Sequence, residues 1–298
     1  MNGILVINKP PSFTSFDVVA IIRRLAGTKK VGHCGTLDPN ATGVLPITIG
    51  NATKAQDIFP DHSKAYTAGF RFGICTNTLD IWGTILQETK ANVSRAKLEE
   101  ALGSFCGSYM QVPPMYSAVK QNGQKLCNLA RKGIIVERPA KKVEIFKLAL
   151  TEFDEQTQSG VLEIDCGEGT YVRALIDDIA KHLGTLGVMT SLVRTRACGY
   201  DIATAITIEQ AKTLAQNGQL ETAVLPTESI FAPYPAVAVS AAQALRFKNG
   251  GALDLARLPE GTSSQNGTIF KVYSPPPEND FLGLGVVKET ELKIFKMF

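Results

Sequence analysis

Apolar residues recur along this chain with two distinct periods, and the periods mark its elements. Between residues 14 and 27, Val18, Ile21, Ile22 and Leu25 fall at i, i+3, i+4 and i+7, with Thr14 or Ser15 placed as a cap and Gly27 as a stop. That spacing predicts a helix. A second helix is expected over 94–105, on Leu98, Ala101, Leu102 and Phe105, and a third on Val172, Leu175, Ile176, Ile179 and Leu183, ending at Gly184. In AYTAGFRFG the pattern changes to alternation, so Tyr66, Ala68, Phe70 and Phe72 share one face of a half-buried strand. Further strands are expected at 4–7, 30–33, 44–49, 142–153 and 160–166. Strands and helices interleave with hairpin-like returns, which predicts an α+β fold (mixed α/β) rather than a doubly wound sheet.

The stretch LPTESIFAPYP, residues 225–235, reads as a linker, and the sequence after it is short, Gly-rich and strand-like in FKNGG, LGLGVV and ELKIFKMF. We therefore expect a large domain over 1–230 and a small β-barrel or sandwich module over 231–298. At 298 residues, 44% hydrophobic and 20% charged, the chain has the composition of an ordinary globular protein, and its net charge of +3 leans only slightly toward a polyanionic partner. The six cysteines form no CxxC pair, so neither a zinc site nor a disulfide framework is indicated. No run approaches the roughly 18 apolar residues of a membrane span. Free thiols and no membrane segment fit a cytoplasmic protein.

Candidate chemistry begins with GHCGTLDPNATGVLP, which holds a single acid, Asp38, between Gly35 and Gly43. Pro39 pushes Asp38 toward extended backbone, and the glycines permit turns that other residues resist. Two readings stand side by side: a surface Asp-Pro turn, and a carboxylate fixed where backbone packs close to a ligand. No second acid in the loop supplies a dyad or a metal cluster. GEGTYVRAL places a Gly-rich turn before a helix, a geometry that either caps the helix or holds a phosphate. Arg173, near that helix start, sits at the less favourable end for a cation, which points to an anionic partner. Basic pairs at Arg23-Arg24, Lys29-Lys30, Arg131-Lys132, Lys141-Lys142 and Arg194/Arg196 are either solvated faces or, gathered on one surface, a track for a phosphate backbone. His33, at the loop entrance, is a satisfied strand-end histidine or a contact.

In order and spacing, GILVINKPPSFTSFDVV, KKVGHCGTLDPNATGVLPITIGNATK, KAYTAGFRFGICTNTLDIWG, VPPMYSAVKQNGQKLCNLARKG, GTYVRALIDDIAKHLG and SLVRTRACGY resemble the tRNA pseudouridine-55 synthase family, the TruB type. The match spans residues 1–230, with an inserted segment around 94–132, and the tail from about Tyr234 is similar to the RNA-binding PUA module. The resemblance implies a pseudouridine-synthase catalytic fold with a central, mainly antiparallel sheet, followed by a small PUA-like barrel. It implies that Asp38 is the catalytic aspartate, that Arg173 pairs with it, and that Tyr66 stacks on the uracil ring and assists removal of the C5 proton. Tyr171 and Leu192 match pocket walls, His33 matches the histidine that takes part in base flipping, and Lys9 with Pro10 matches a KP pair that supports the pocket. Cys127 stands where the family usually has tyrosine.

The implied activity is isomerisation of a uridine at position 55, in the T-loop of tRNA, by base flipping. Breaking and remaking one glycosidic bond is redox-neutral and intramolecular, so the resemblance implies no cofactor and no metal. Expected contacts are the T-arm and, through the C-terminal module, the acceptor stem, with a monomer acting without membrane or guide RNA. Guide-dependent relatives share the aspartate loop but carry partner-binding extensions, and no long basic tail is present here.

Overall fold

The computed structural model describes residues 1–298. Strand β1 (Gly3–Lys9) is buried on both faces, which is why it reads as a continuous apolar run. Helix α1 (Ser15–Leu25) starts at a capping box, in which the Thr14 hydroxyl accepts the Asp17 N–H and the Asp17 carboxylate accepts the Thr14 N–H. Its buried stripe of Val18, Val19 and Ile22 packs on Leu5, Ile7, Leu45 and Ile47 from β1 and from β3 (Thr42–Ile49). Burying one such side chain contributes about 1.5–3 kcal/mol. The short β2 (Val31–His33) lies before the Asp38 loop and pairs antiparallel with the end of β3, His33 opposite Ile47. The loop is therefore held at both ends by one pair of strands.

Strand β4 (Lys64–Phe72) follows, then a hairpin of β5 (Ile74–Thr76) and β6 (Ile85–Glu88), helix α2 (Arg95–Gly103) and β7 (Gly107–Gln111). A two-residue ladder of β8 (Lys120–Gln121) and β9 (Gln124–Lys125) leads into α3 (Leu126–Arg131). Two long strands, β10 (Lys141–Asp154) and β11 (Ser159–Cys166), precede α4 (Val172–His182), β12 (Gly187–Ala197), β13 (Tyr200–Asp201) and α5 (Ile208–Gln216). The central sheet runs β1-β3-β12-β4-β11-β10-β7, with β2 added on β3 and β13 on β12. Only the β12–β3 pairing is parallel, so the sheet is mainly antiparallel as expected. Helices α2 and α4 cover one face, where Leu98, Leu102, Leu175 and Ile176 meet Tyr66, Phe70 and Phe72 in one core.

Within 94–132, α2 and β7 belong to this sheet and its cover; only the stretch from about 115 stands largely outside it. The sequence pattern also leaves β12, at the centre of the sheet, without a signal, because arginines occupy positions where a buried strand usually alternates apolar residues.

The C-terminal residues form a second sheet, ordered β14-β16-β17-β18-β15, from β14 (Ala236–Ala238), β15 (Leu253–Asp254), β16 (Ile269–Tyr273), β17 (Phe281–Lys288) and β18 (Glu291–Met297). Helix α6 (Ala241–Lys248), absent from the sequence reading, packs Phe247 into its core. This separate sheet is curled, with β14 and β15 at the two ends of its path, in keeping with the small barrel-like module expected there. The stretch expected as a linker is instead a packed joint. Ile230 and Phe231 are buried with Ile4 of β1, with Ala52 and Phe59 from the segment between β3 and β4, and with Leu284 of β17, and Phe231 also meets Phe281 and Phe298. No helix is long and apolar enough to cross a membrane.

Candidate active site

Asp38 is fixed by its neighbours in the chain. Just before it, the Leu37 N–H donates to the Ser15 hydroxyl at 2.9 Å, tying the loop to the first turn of α1. Just after it, the Lys9 ammonium donates to the Pro39 carbonyl at 2.8 Å, and also to the carbonyls of Pro10 and Phe13. The Ala41 N–H closes the turn on the Asp38 carbonyl at 3.1 Å. Lys9 is fully buried, and three carbonyl acceptors are what make a lysine tolerable there. Burial pulls its pKa down to about 8, while the Asp38 carboxylate pulls the other way.

The glycines at the loop ends have separate reasons. Gly43 has φ +102°, and a Cβ there would lie 2.2 Å from the backbone oxygen of Arg194 on the neighbouring β12. Gly35 has φ +82°, and its Cβ would press on the Arg194 guanidinium. Both let backbone approach one buried arginine. Arg194 is wholly enclosed, donating Nε–H to the Val44 carbonyl at 2.7 Å and Nη2–H to the Gly35 carbonyl at 3.0 Å. It therefore cannot track a phosphate, as the basic-pair reading allowed. Arg196, its companion, is committed to Asp165 at 2.6 Å.

Arg173 reaches Asp38 from α4. Its Nε lies 2.8 Å from Asp38 Oδ2 and its Nη2–H donates to Oδ1 at 3.2 Å, a two-pronged grip that fixes the plane of the carboxylate. The side chain of Asp38 is still 39% exposed while that of Arg173 is 5% exposed, so the acid faces solvent and its partner does not. The remaining donors of Arg173 go to the Thr78 carbonyl at 2.7 Å and the Tyr116 carbonyl at 2.9 Å. A second carboxylate, Asp80, stands 3.9 Å from Nη1 and is 14% exposed. These two acids offset the unfavourable placement of a cation at a helix start. The N–H that follows the GEGT turn is not open to an anion, because the Tyr171 N–H is taken by Gln111 Oε1 at 2.8 Å.

Tyr66 on β4 faces Arg194 across the β12 pairing, and Leu192 faces Ala68 one step along. All four therefore share one sheet face, and Tyr66 and Leu192 join Leu37 and Ala41 of the Asp38 loop in one apolar cluster. Burial pushes the Tyr66 phenol up to about 12, so it is neutral near pH 7. Tyr171, half-buried beside Arg173, is raised for the same reason. His33 is held low by burial and by the nearby Arg194, and its Nδ1 is buried without a partner. It opens the loop at the end of β2.

The structure thus brings Asp38, Arg173, Lys9, Tyr66, Leu192 and Tyr171 around one centre, with His33 at the loop entrance. Sequence reasoning missed two members, Asp80 and Arg194. Asp80 has no local signature; in TNTLDIWG it reads as one more turn acid. Arg194 reads in SLVRTR only as half of a basic pair, because the carbonyls that answer it, those of Val44 and Gly35, are distant in sequence.

Asp80→Asn separates the charge of this acid from its turn. The amide keeps an oxygen for the bonds that Asp80 Oδ1 accepts from the Thr78 hydroxyl and the Trp82 N–H, while the charge facing Arg173 is lost. Turnover should fall about 10- to 100-fold through a loosened Arg173, with substrate affinity held. Single-turnover rates at saturating enzyme would check this, and an unchanged rate would remove Asp80 from the site.

Two family models match consecutive parts of the chain: the N-terminal domain of TruB family pseudouridylate synthase over residues 23–172, and the C-terminal domain of tRNA pseudouridylate synthase B over 173–232. A tRNA pseudouridine synthase B from Alkaliphilus oremlandii is 41% identical over 292 residues, covering 98% of this chain and 95% of that one. One from Geobacillus thermodenitrificans is 38% identical, covering 99% and 100%. Among solved structures, a chain of a Cbf5-Nop10-Gar1 complex superposes with a TM-score of 0.73 at 23% identity, over 99% of this chain and 84% of that one, a likeness of fold. With both models matched in order and relatives similar from end to end, this chain belongs to the TruB family of pseudouridylate synthases.

Proposed function

We propose that this chain isomerises uridine to pseudouridine in tRNA, at position 55 in the T-loop. The observation that carries the reading is the Asp38–Arg173 grip: one carboxylate, oriented on both oxygens, open to solvent and set among Tyr66, Leu192 and Tyr171. A uridine inside a stacked loop cannot reach that carboxylate, so the base is flipped into the pocket. There the N1–C1′ bond breaks, the base turns, and C5 bonds to C1′. The C5 hydrogen leaves and N1 gains a proton, so atoms and electrons balance without a co-reactant.

The Asp38 carboxylate serves as the nucleophile at C1′ or C6, or as the base that takes a sugar proton. Arg173 keeps it aimed. Tyr66 lies against the uracil face and assists removal of the C5 proton. Leu192 and Tyr171 wall the pocket, while His33 fills the space the flipped base leaves. Lys9 supports the loop without touching substrate. We further propose that the chain acts as a monomer without a guide RNA, grips the T-arm through its catalytic face, and reaches the acceptor stem through residues 231–298.

Tritium release tests the reading. With tRNA transcript labelled at C5 of its uridines, one equivalent should be released per tRNA, and chemical mapping should place the product in the T-loop. Tight binding with no release would overturn it.

A further inference from the structure

The chain has one tryptophan, Trp82, and it is 50% exposed. Ile81, Ile85 and Leu86 beside it are exposed as well, so four large apolar side chains within six residues face outward. Single exposed apolar residues need no explanation, but a half-exposed tryptophan within such a strip does.

The turn that carries it is held rigidly. The Thr76 hydroxyl donates to the Asp80 carbonyl at 2.7 Å, the Trp82 N–H donates to Asp80 Oδ1 at 3.2 Å, and the Ile81 N–H reaches across to the Met189 carbonyl of β12 at 2.9 Å. Leu79 is kept at φ +63°, a conformation that leucine adopts only under constraint. The turn is also wired to the catalytic pair: Arg173, which grips Asp38, donates to Thr78 and faces Asp80. One acid separates the Trp82 backbone from the Asp38–Arg173 pair. On its other side Arg173 holds Tyr116, where an exposed segment begins that carries Lys120, Lys125, Arg131 and Lys132.

We propose that Trp82 is a stacking site for an unstacked base of the RNA substrate, adjoining the flipped uridine. The proposal rests on the tRNA reading above. Extruding one base leaves its neighbours without their stack, and an indole accepts any of the four bases because each has a π face. The fixed turn means that little freedom is lost when the base lands. The cations of the segment that starts at Tyr116, which Arg173 ties to the same site, supply phosphate contacts to the RNA.

Because Trp82 is the only tryptophan, its emission reads the site directly. Titrating the wild-type enzyme with tRNA transcript should quench that emission, and a fully paired RNA duplex of equal length should not. Trp82→Ala should raise KM for tRNA about 5- to 150-fold with the loss outside kcat, and Trp82→Phe should recover most of it. Tritium release in the same preparation separates this proposal from the reading it rests on. Release with unmoved emission, or a Trp82→Ala enzyme with wild-type KM, overturns the stacking site alone. Quenching without release keeps the stacking site and overturns the isomerase reading. Equal quenching by the duplex, or emission that shifts with protein concentration alone, assigns the strip to duplex contact or to a second copy and overturns the proposal.

Discussion

Asp38→Asn should end tritium release while tRNA still binds within about threefold of the wild-type affinity, because phosphate contacts carry most of the affinity and the acid acts in the chemistry. The substitution keeps size and shape, so the anchors around it survive: Ser15 on Leu37, Lys9 on Pro39, and the Ala41 N–H on the residue 38 carbonyl. What is lost is the charge. Removing a residue that reacts directly lowers turnover by at least about 10³-fold, well beyond what loosened positioning alone produces. The result is read by single-turnover tritium release beside filter binding on one enzyme preparation. Residual turnover above about a tenth of wild type would mean that Asp38 is not the reacting group, since positioning effects alone span that range. Asp80 is then the carboxylate left beside Arg173.

The sequence made the periodic parts of this fold legible. Helices α1, α2 and α4 and strands β4, β10 and β11 follow patterns that a half-buried element imposes, and they stand where their stripes fall. β12 was invisible because its buried face carries Arg194, whose charge is answered by backbone carbonyls from β3 and the loop, partners distant in sequence. The packed joint at Ile230 and Phe231 was misread for a related reason. Prolines and Ser/Thr signal a break, and only the second sheet shows what the apolar residues among them cover. At the site, Asp38 and Arg173 were legible through family resemblance, and the unfavourable helix-start position of Arg173 independently called for an anion. Asp80 was not, because the pairing that gives it meaning joins residues 80 and 173 and leaves no local trace.

Arg173 is where that geometry predicts the second large effect, and two replacements divide its roles. Arg173→Met fills a similar volume but leaves Asp38 and Asp80 without their cation and the Thr78 and Tyr116 carbonyls without a donor. Breaking a buried pair costs about 3–5 kcal/mol, and the low end applies because Asp38 is exposed enough to draw water while Asp80 is the acid left enclosed. A loss of about 3 kcal/mol should appear as a lowered midpoint in urea. Arg173→Lys keeps the charge but replaces a planar fork with a single point, so it cannot hold both oxygens of Asp38. It should recover part of the lost stability, yet turnover should stay down by about 10²-fold, because a carboxylate free to rotate is aimed only part of the time. The two readouts therefore move apart if the grip sets the direction of Asp38. A lysine enzyme with wild-type kcat would show that charge alone suffices and that the two-pronged geometry has no part in turnover.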